Sequence, residues 1–471
     1  MTNKTDSPAA GADQGTQSNQ SEREEAQVTA PKQASEQALE PASDHAPGAR
    51  PEPEPTPLRA NRALRGIYAG SFTSYLGLAM AEVIYPLLVL GFTGKPLLAG
   101  LFGTIQFTAL VLASIPVGNF IDRHDRRRVL IVSEAIRVTL ATVLAVTLAA
   151  GYVWLIEVYL IAFVLGVCQP LSGVRMLVLR SLAEPSQLTK ALSIQQVVSG
   201  SAQLIGPAVG TMLYAINRSL PFVAIAVGIG ISAICAYAVR FDGRPKPAAA
   251  EPGANESATN TDAAAESESS FAGLRIIWSH PVMRGTMLFT MLLNLVGVSL
   301  DLVLIVQARH EGVPTHFVGL VLAALAGGGI LGAPFIPRLH TLLPPGQLLI
   351  GFSLLVALSC LMIGLFPFGG IWMAGWLAAI GFVLPAVEVL ADVLILRQVP
   401  DRQRGRVLTA VMTFMGLGLP IGAAFGGSLL QVFSATTVLL GAAAAFGGVT
   451  AFAVSQHALR TAEWPPPSPA S

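Results

Sequence analysis

The sequence predicts an all-α membrane protein of twelve transmembrane helices, built as two pseudo-repeated six-helix halves. Of its 471 residues, 52% are hydrophobic and only 12% charged, with a mean hydropathy of +0.60, whereas a soluble domain carries about 25% charged residues. Twelve apolar runs are long enough to cross a hydrocarbon core, which takes roughly 20 helical residues each. The two halves of the chain also resemble each other at a displacement of about 216 residues.

Residues 1–58 are rich in Ala, Pro, Ser, Gln and Glu, hold 10 acidic against 4 basic side chains and contain no aromatic residue. Such a composition buries too little apolar surface to offset its ordering entropy, so this stretch reads as a disordered tail. The N-terminal half follows over 59–240, with spans near 64–92, 96–121, 129–150, 153–177, 191–215 and 220–240. A Pro, Ala and Glu-rich linker, 241–283, ends in FAGLRIIWSHPVMR, whose apolar spacing is that of an amphipathic helix. The C-terminal half covers 284–457, with spans near 284–307, 316–337, 346–365, 369–396, 406–431 and 434–456; residues 458–471 form a short tail.

The connections alternate in charge. With both termini on one side, the loops and flanks of that side collect 21 Lys and Arg, and the other side holds three, Lys95, Arg218 and Arg309. Positive residues stay in the cytoplasm, so both termini are expected there and the protein in a bacterial cytoplasmic membrane.

The internal similarity has three parts. PSQLTKALSIQQVVSGSAQLIGPAVG from Pro185 aligns with PDRQRGRVLTAVMTFMGLGLPIGAAFG from Pro400. Both carry Gly-x-x-x-Gly, as Gly206 to Gly210 (around Pro207) and Gly422 to Gly426, a spacing that lets helices approach closely. Ser74, Gly77 and Glu82 of the first span likewise correspond to Asn294, Gly297 and Asp301 of the seventh. Duplicated halves with a site between them are the common construction of secondary transporters.

A net charge of +1 gives no field for nucleic acid. The three cysteines lie in apolar runs and the seven histidines form no cluster, so neither a metal site nor a disulfide framework is expected. There is no Gly-x-x-x-x-Gly-Lys-Ser/Thr loop for ATP and no Ser-His-Asp arrangement, which argues against a pump or an enzyme and for no cofactor.

After the second span comes GNFIDRHDRRRVL, 118–130. It resembles the Gly-x-x-x-Asp-Arg-x-Gly-Arg-Arg loop of the major facilitator superfamily: Gly118, Asp122, Arg123, Arg126 and Arg127 match, and Asp125 stands at the usual second glycine. That departure is similar to the branch of enterobactin exporters and macrolide-type efflux proteins, as are SYLG at 74–77, IGPAVG at 205–210 and QVPDRQRGRV at 398–407. The resemblance covers roughly 60–457 and implies the major facilitator fold, a monomer in the bilayer, and a gating role for this loop against the start of the eleventh helix, at Gly405 and Arg406.

Seven ionisable side chains are counted inside spans: Glu82, Glu134, Arg137, Glu157, Asp301, Glu388 and Asp392. Each costs about 2.5–3.5 kcal/mol at a bilayer centre and so needs a partner, a water-filled cavity or a change of protonation. Glu134 and Arg137, at i and i+3, are expected to form a structural ion pair. The other five lie on spans 1, 4, 7 and 10, where the resemblance places a central cavity, and are the candidate proton and substrate site. The expected function is proton-coupled export of a small amphiphilic molecule, a drug or siderophore. Proton-coupled metabolite uptake would use the same parts, and a non-transporting membrane receptor or scaffold is the alternative from another class.

Overall fold

The computed structural model describes residues 62–182, 187–239, 278, 281–397 and 404–455. The tails, nearly all of the linker and the turns at 183–186 and 398–403 lie outside the described residues. Among the described residues there are fourteen α-helices: α1 Arg62–Thr93, α2 Pro96–Arg123, α3 Arg126–Ala149, α4 Leu155–Cys168, α5 Val174–Leu182, α6 Leu188–Ile216, α7 Leu220–Ala238, α8 Pro281–His310, α9 Thr315–Gly332, α10 Ile336–Leu342, α11 Pro345–Leu365, α12 Gly370–Arg397, α13 Arg404–Val432 and α14 Ala435–Ser455. With α4–α5 and α9–α10 each taken as one broken rod, they make twelve antiparallel rods, one for each apolar run. Ten of these contain a stretch long and apolar enough to cross a membrane; in α13 the apolar stretch is the shorter Gly416–Val432. The sixth helix, α6, falls outside the ten because Gln195, Gln196 and Gln203 lower its hydropathy.

Two expected spans are not continuous helices. The fourth breaks at Pro170–Gly173 and the eighth at Ala333–Phe335, both short 3-10 turns. Pro170 has no N–H to give to the preceding turn, and here the chain tightens into a 3-10 turn, whereas α1, α2, α6, α12 and α13 continue through Pro86, Pro116, Pro207, Pro385 and Pro420. Gln169 N–H closes on Gly166 and Ser172 N–H on Gln169, which leaves the Cys168 carbonyl outside the helical ladder.

The bundle has two ends. At the motif end α1 begins and α2 turns into α3; at the opposite, turn end the connections are a few residues long. Four of these turns contain a glycine with positive φ, Gly94 (65°), Gly151 (80°), Gly312 (75°) and Gly369 (86°), a region where side chains are costly. Gly94 precedes Gly312, and Gly151 precedes Gly369, by the same interval, so the duplication extends to backbone conformation.

Equivalent helices pack equivalently. In the first half α1 packs on α6 and α7, and α3 on α7; in the second, α8 packs on α13, and α11 on α14. Gly206 and Gly210 of α6 face Leu76, Ala79 and Met80 of α1, while Gly422 and Gly426 of α13 face Leu295 and Ser299 of α8. The expected Gly-x-x-x-Gly pairs are therefore the contact points of the same helix pair in each half. Ser299 reinforces the second by donating to the Gly422 carbonyl at 2.6 Å.

The halves meet along two seams, α2 with α13 and α6 with α9. Both are tightest toward the turn end. A Cβ on Gly100 would lie 2.6 Å from the Gly427 Cα, and one on Gly319 would collide with the Pro207 carbonyl. Thr211 also donates across the second seam to the His316 carbonyl at 3.3 Å. Nearer the motif end the seams are filled by side chains, Leu204 against Gly327 and Val111 against Gly416.

Candidate functional site

Between the halves lies a cavity of about 350 Å³, walled by α1, α2, α3, α4 and α7 on one side and by α8 and α13 on the other. Its lining is mostly apolar and contains three ionisable side chains, Glu82, Asp301 and Arg137. Glu82 comes from α1 and Asp301 from α8, so the repeat-related acids meet in one space. Both are exposed to it, and among the described residues neither makes a hydrogen bond or ion pair. They are close enough for their charges to interact. Tyr85 and Phe102, stacked at 4.7 Å, form part of the wall.

Beside the cavity sits a buried polar network, and here the expected pairing is corrected. Glu134 is fully buried and its ion-pair partner is Arg175 of α5, at 2.6 Å, not Arg137. Ser74 donates to the same carboxylate at 3.3 and 3.4 Å, and Arg175 also donates to Ser232 of α7 at 3.0 Å. Arg137, one turn beyond Glu134, instead donates to the Cys168 carbonyl at 3.0 Å. The cause is the break at Pro170: it frees that carbonyl for Arg137 and turns α5 so that Arg175 reaches Glu134. The charge count had left Arg175 among the basic flanks, yet it is only 5% exposed. Pro170 alone did not signal it, since Pro86, Pro116, Pro207, Pro385 and Pro420 lie inside continuous helices.

The remaining candidate acids lie elsewhere. Glu157 sits at the start of α4, where it accepts from Thr147 of α3 at 2.9 Å, and it does not line the cavity. Glu388 is an exposed residue of α12, also outside the lining. The side chain of Asp392 lies outside the described residues.

In the motif loop, Asp125 explains its own departure from glycine. It caps α3, accepting the Arg127 N–H at 2.9 Å, which satisfies one of the amides a helix start leaves free. Arg127 donates to the Tyr237 carbonyl at 2.5 Å and lies over its ring, a cation at the C-terminal end of α7. Arg123 is exposed in the last turn of α2 and Gly118 has open space around it. The Asp122 side chain and those of Gly405 and Arg406 lie outside the described residues, so the expected latch does too.

Comparison with known proteins agrees with this architecture. The multidrug efflux pump Tap of Mycobacterium tuberculosis is 24% identical over 364 residues, 75% of this chain and 83% of that protein. Macrolide efflux protein A of Streptococcus pyogenes is 23% identical over 367 residues, 76% and 86%. Among solved structures, the nucleoside transporter NupG superposes with a TM-score of 0.65 at 12% identity, covering 83% of this chain and 98% of that one. A bacterial homologue of the iron transporter ferroportin, in an inward-facing state, gives 0.63 at 16%, covering 84% and 99%. The sequence profile of the Major Facilitator Superfamily matches residues 67–387. The chain belongs to the Major Facilitator Superfamily and is a multi-pass membrane transporter.

Proposed function

We propose that this transporter exports a small amphiphilic drug-like molecule in exchange for protons, by alternating access between its two halves. The observation that carries the reading is the pair Glu82 and Asp301, one from each half, unpartnered in a single cavity whose seams are closed at the turn end. A carboxyl group can take a proton when the cavity faces one side and lose it when it faces the other. With no other charge compensating these acids directly, protons or a cationic substrate must do so. The positive-inside asymmetry puts the motif end in the cytoplasm of a bacterial cell, so the closed seams shut the outer exit. Export is favoured over uptake by the two efflux relatives, a multidrug pump and a macrolide efflux protein. The duplicated halves and the acids in the cavity leave a receptor or scaffold role without support.

The test is transport in proteoliposomes driven by an imposed proton gradient, at matched protein incorporation. Glu82→Gln and Asp301→Asn keep size and hydrogen-bonding capacity while removing the titrating group. At least one is expected to lose gradient-driven efflux while retaining substrate binding or downhill exchange. Wild-type gradient dependence in both would end the assignment of proton coupling to this pair.

A further inference from the structure

The turn ends of the two halves are built differently, and the duplication supplies the comparison. Gly94 corresponds to Gly312 and Gly151 to Gly369, so the α1–α2 corner has its counterpart in the α8–α9 corner. Glu311, just before Gly312, accepts the Gly369 N–H at 3.0 Å and a side-chain N–H of Gln307 at 2.8 Å. Gln307 is only 2% exposed and accepts in turn from Thr436 at 3.4 Å. The Glu311 carboxylate thus ties the α8–α9 corner to the start of α12, where a negative charge suits the amides a helix start leaves free. Gln307 ties the same corner to the start of α14. Beside this clasp Val313 packs against Gly370.

None of this recurs in the first half, where Thr93 and Val89 stand at the corresponding positions. Thr93 donates to the Val89 carbonyl at 2.7 Å and accepts the Lys95 N–H at 3.2 Å, bonds that stay within its own corner and do not reach Gly151. Behind that corner α1 contains Pro86, which has no N–H for the Glu82 carbonyl, whereas α8 carries Leu304 and Ile305 in the corresponding stretch. A helix bends most readily at such a proline. The side contacts of the α1 end, Arg218 lying 5.1 Å over the Phe92 ring and Tyr214 against Gly91, come from its own half.

The two seams differ in the same sense. α9 follows the clasped corner, and its His316 carbonyl takes the cross-seam hydrogen bond from Thr211 at 3.3 Å. α2 follows the unclasped corner and meets α13 through backbone contact at Gly100 and Gly427; among the described residues no hydrogen bond crosses this seam. The start of α2 is instead held from its own half, by Tyr159 of α4 donating to the Leu98 carbonyl at 3.2 Å.

We propose that the outer exit opens along the α2–α13 seam alone, by bending of the α1–α2 corner at Pro86, while the Glu311 clasp fixes the α8–α9 corner and keeps the α6–α9 seam closed. Glu311 is a positioning residue: it does not line the cavity and acts through α8 and α9. This rests on the efflux reading and adds the route by which the exported molecule leaves, beside α2 rather than along the axis of the bundle.

The test uses full-length protein in lipid nanodiscs, with Cys168, Cys235 and Cys360 replaced by alanine and one spin-label pair across each seam. Lys95→Cys with Phe433→Cys spans α2–α13, and Ile216→Cys with Phe317→Cys spans α6–α9; all four positions are exposed at the turn end. Double electron–electron resonance at pH 8 and pH 5 is expected to show the first pair populating a second distance longer by about 5 Å, on the order of one helical turn. The second pair should stay constant within about 2 Å, the scale of a small helix shift. Glu311→Ala is expected to make the second pair lengthen as well, and Glu311→Gln to do so less, because its amide oxygen still accepts the Gly369 N–H. Pro86→Ala should shrink the change in the first pair to less than about 2 Å, and Thr93→Ala should alter neither pair. Equal lengthening of both wild-type pairs, lengthening of the second alone, or no change in either would overturn the proposal. So would a Glu311→Ala protein that loses thermal stability while its second pair stays constant, which would make Glu311 structural only. One-sided opening in a protein that shows no gradient-driven export would leave this inference standing and remove the efflux reading. Gradient-driven export with both seams opening together would do the reverse.

Discussion

Arg175→Met separates the pairing seen in the structure from the one expected along α3. The substitution removes the cation 2.6 Å from Glu134 and keeps most of the side-chain volume. Glu134, with no exposed surface, is then left with Ser74 as its donor through two long contacts of 3.3 and 3.4 Å. Breaking one side of a buried ion pair costs about 3–5 kcal/mol, mostly from the charge left uncompensated. At about 2–4 °C per kcal/mol for a unit the size of one six-helix half, the thermal midpoint should fall on the order of 10 °C. The double variant Glu134→Gln/Arg175→Met removes both charges and keeps an amide that can accept from Ser74. It should recover much of that loss, with a coupling energy of about 2–3 kcal/mol. Arg137→Gln loses one hydrogen bond to a carbonyl, about 1.5–3 kcal/mol for a charged donor, and, since Arg137 interacts with the Glu134 charge without direct contact, should show a smaller rescue with Glu134→Gln. The assay is thermal unfolding of purified protein in a single detergent, followed by intrinsic tryptophan fluorescence. If Arg175→Met shifts the midpoint by less than about 2 °C, or the double variant is as unstable as the two single losses added, the network does not hold the broken fourth rod as described.

Three further outcomes follow from the packing and the motif loop. Gly319→Ala drives a methyl group into the Pro207 carbonyl at the turn-end seam; transport should fall at least tenfold with membrane abundance retained, whereas Gly230→Ala, in open space on α7, should transport normally. Asp125→Ala removes the cap of α3 and should cost about 0.5–2 kcal/mol in thermal unfolding, with Asp125→Ser restoring most of it. Asp122→Asn tests the gating role implied by the loop: membrane abundance should match wild type while transport drops, and a parallel loss of both would assign the residue to folding alone.

Much of this architecture is legible in the sequence because a bilayer imposes a simple rule. Every span needs about twenty apolar residues, so the rods could be counted before any contact was known. The meeting of Glu82 with Asp301 was legible for a different reason: duplicated halves set corresponding spans on opposite walls of one central space, so acids at similar depth on spans 1 and 7 can face it together. Glu134 with Arg175 had no comparable signal. The residues are 41 positions apart, the pairing depends on a helix break, and a local i, i+3 partner stood ready as the simpler choice. Glu157 shows the limit of depth arguments. One turn inside a span, it is satisfied by a threonine on the neighbouring helix rather than by the cavity.

The four left-handed glycines at the turn end bear on how the protein can be reached from outside the cell. Under the proposed orientation, the outer face consists of turns such as Gly94–Lys95 and Phe433–Ser434, with no loop long enough to stand clear of the lipid headgroups. A peptide tag inserted there would have to replace a turn whose backbone only glycine adopts comfortably, and it would pry apart the helix ends that close the seams. An antibody approaching an intact cell would find no continuous stretch of chain to bind. It would read a mosaic of turns from both halves, an epitope that, under the proposed alternating access, exists in one conformation and is dismantled in the other.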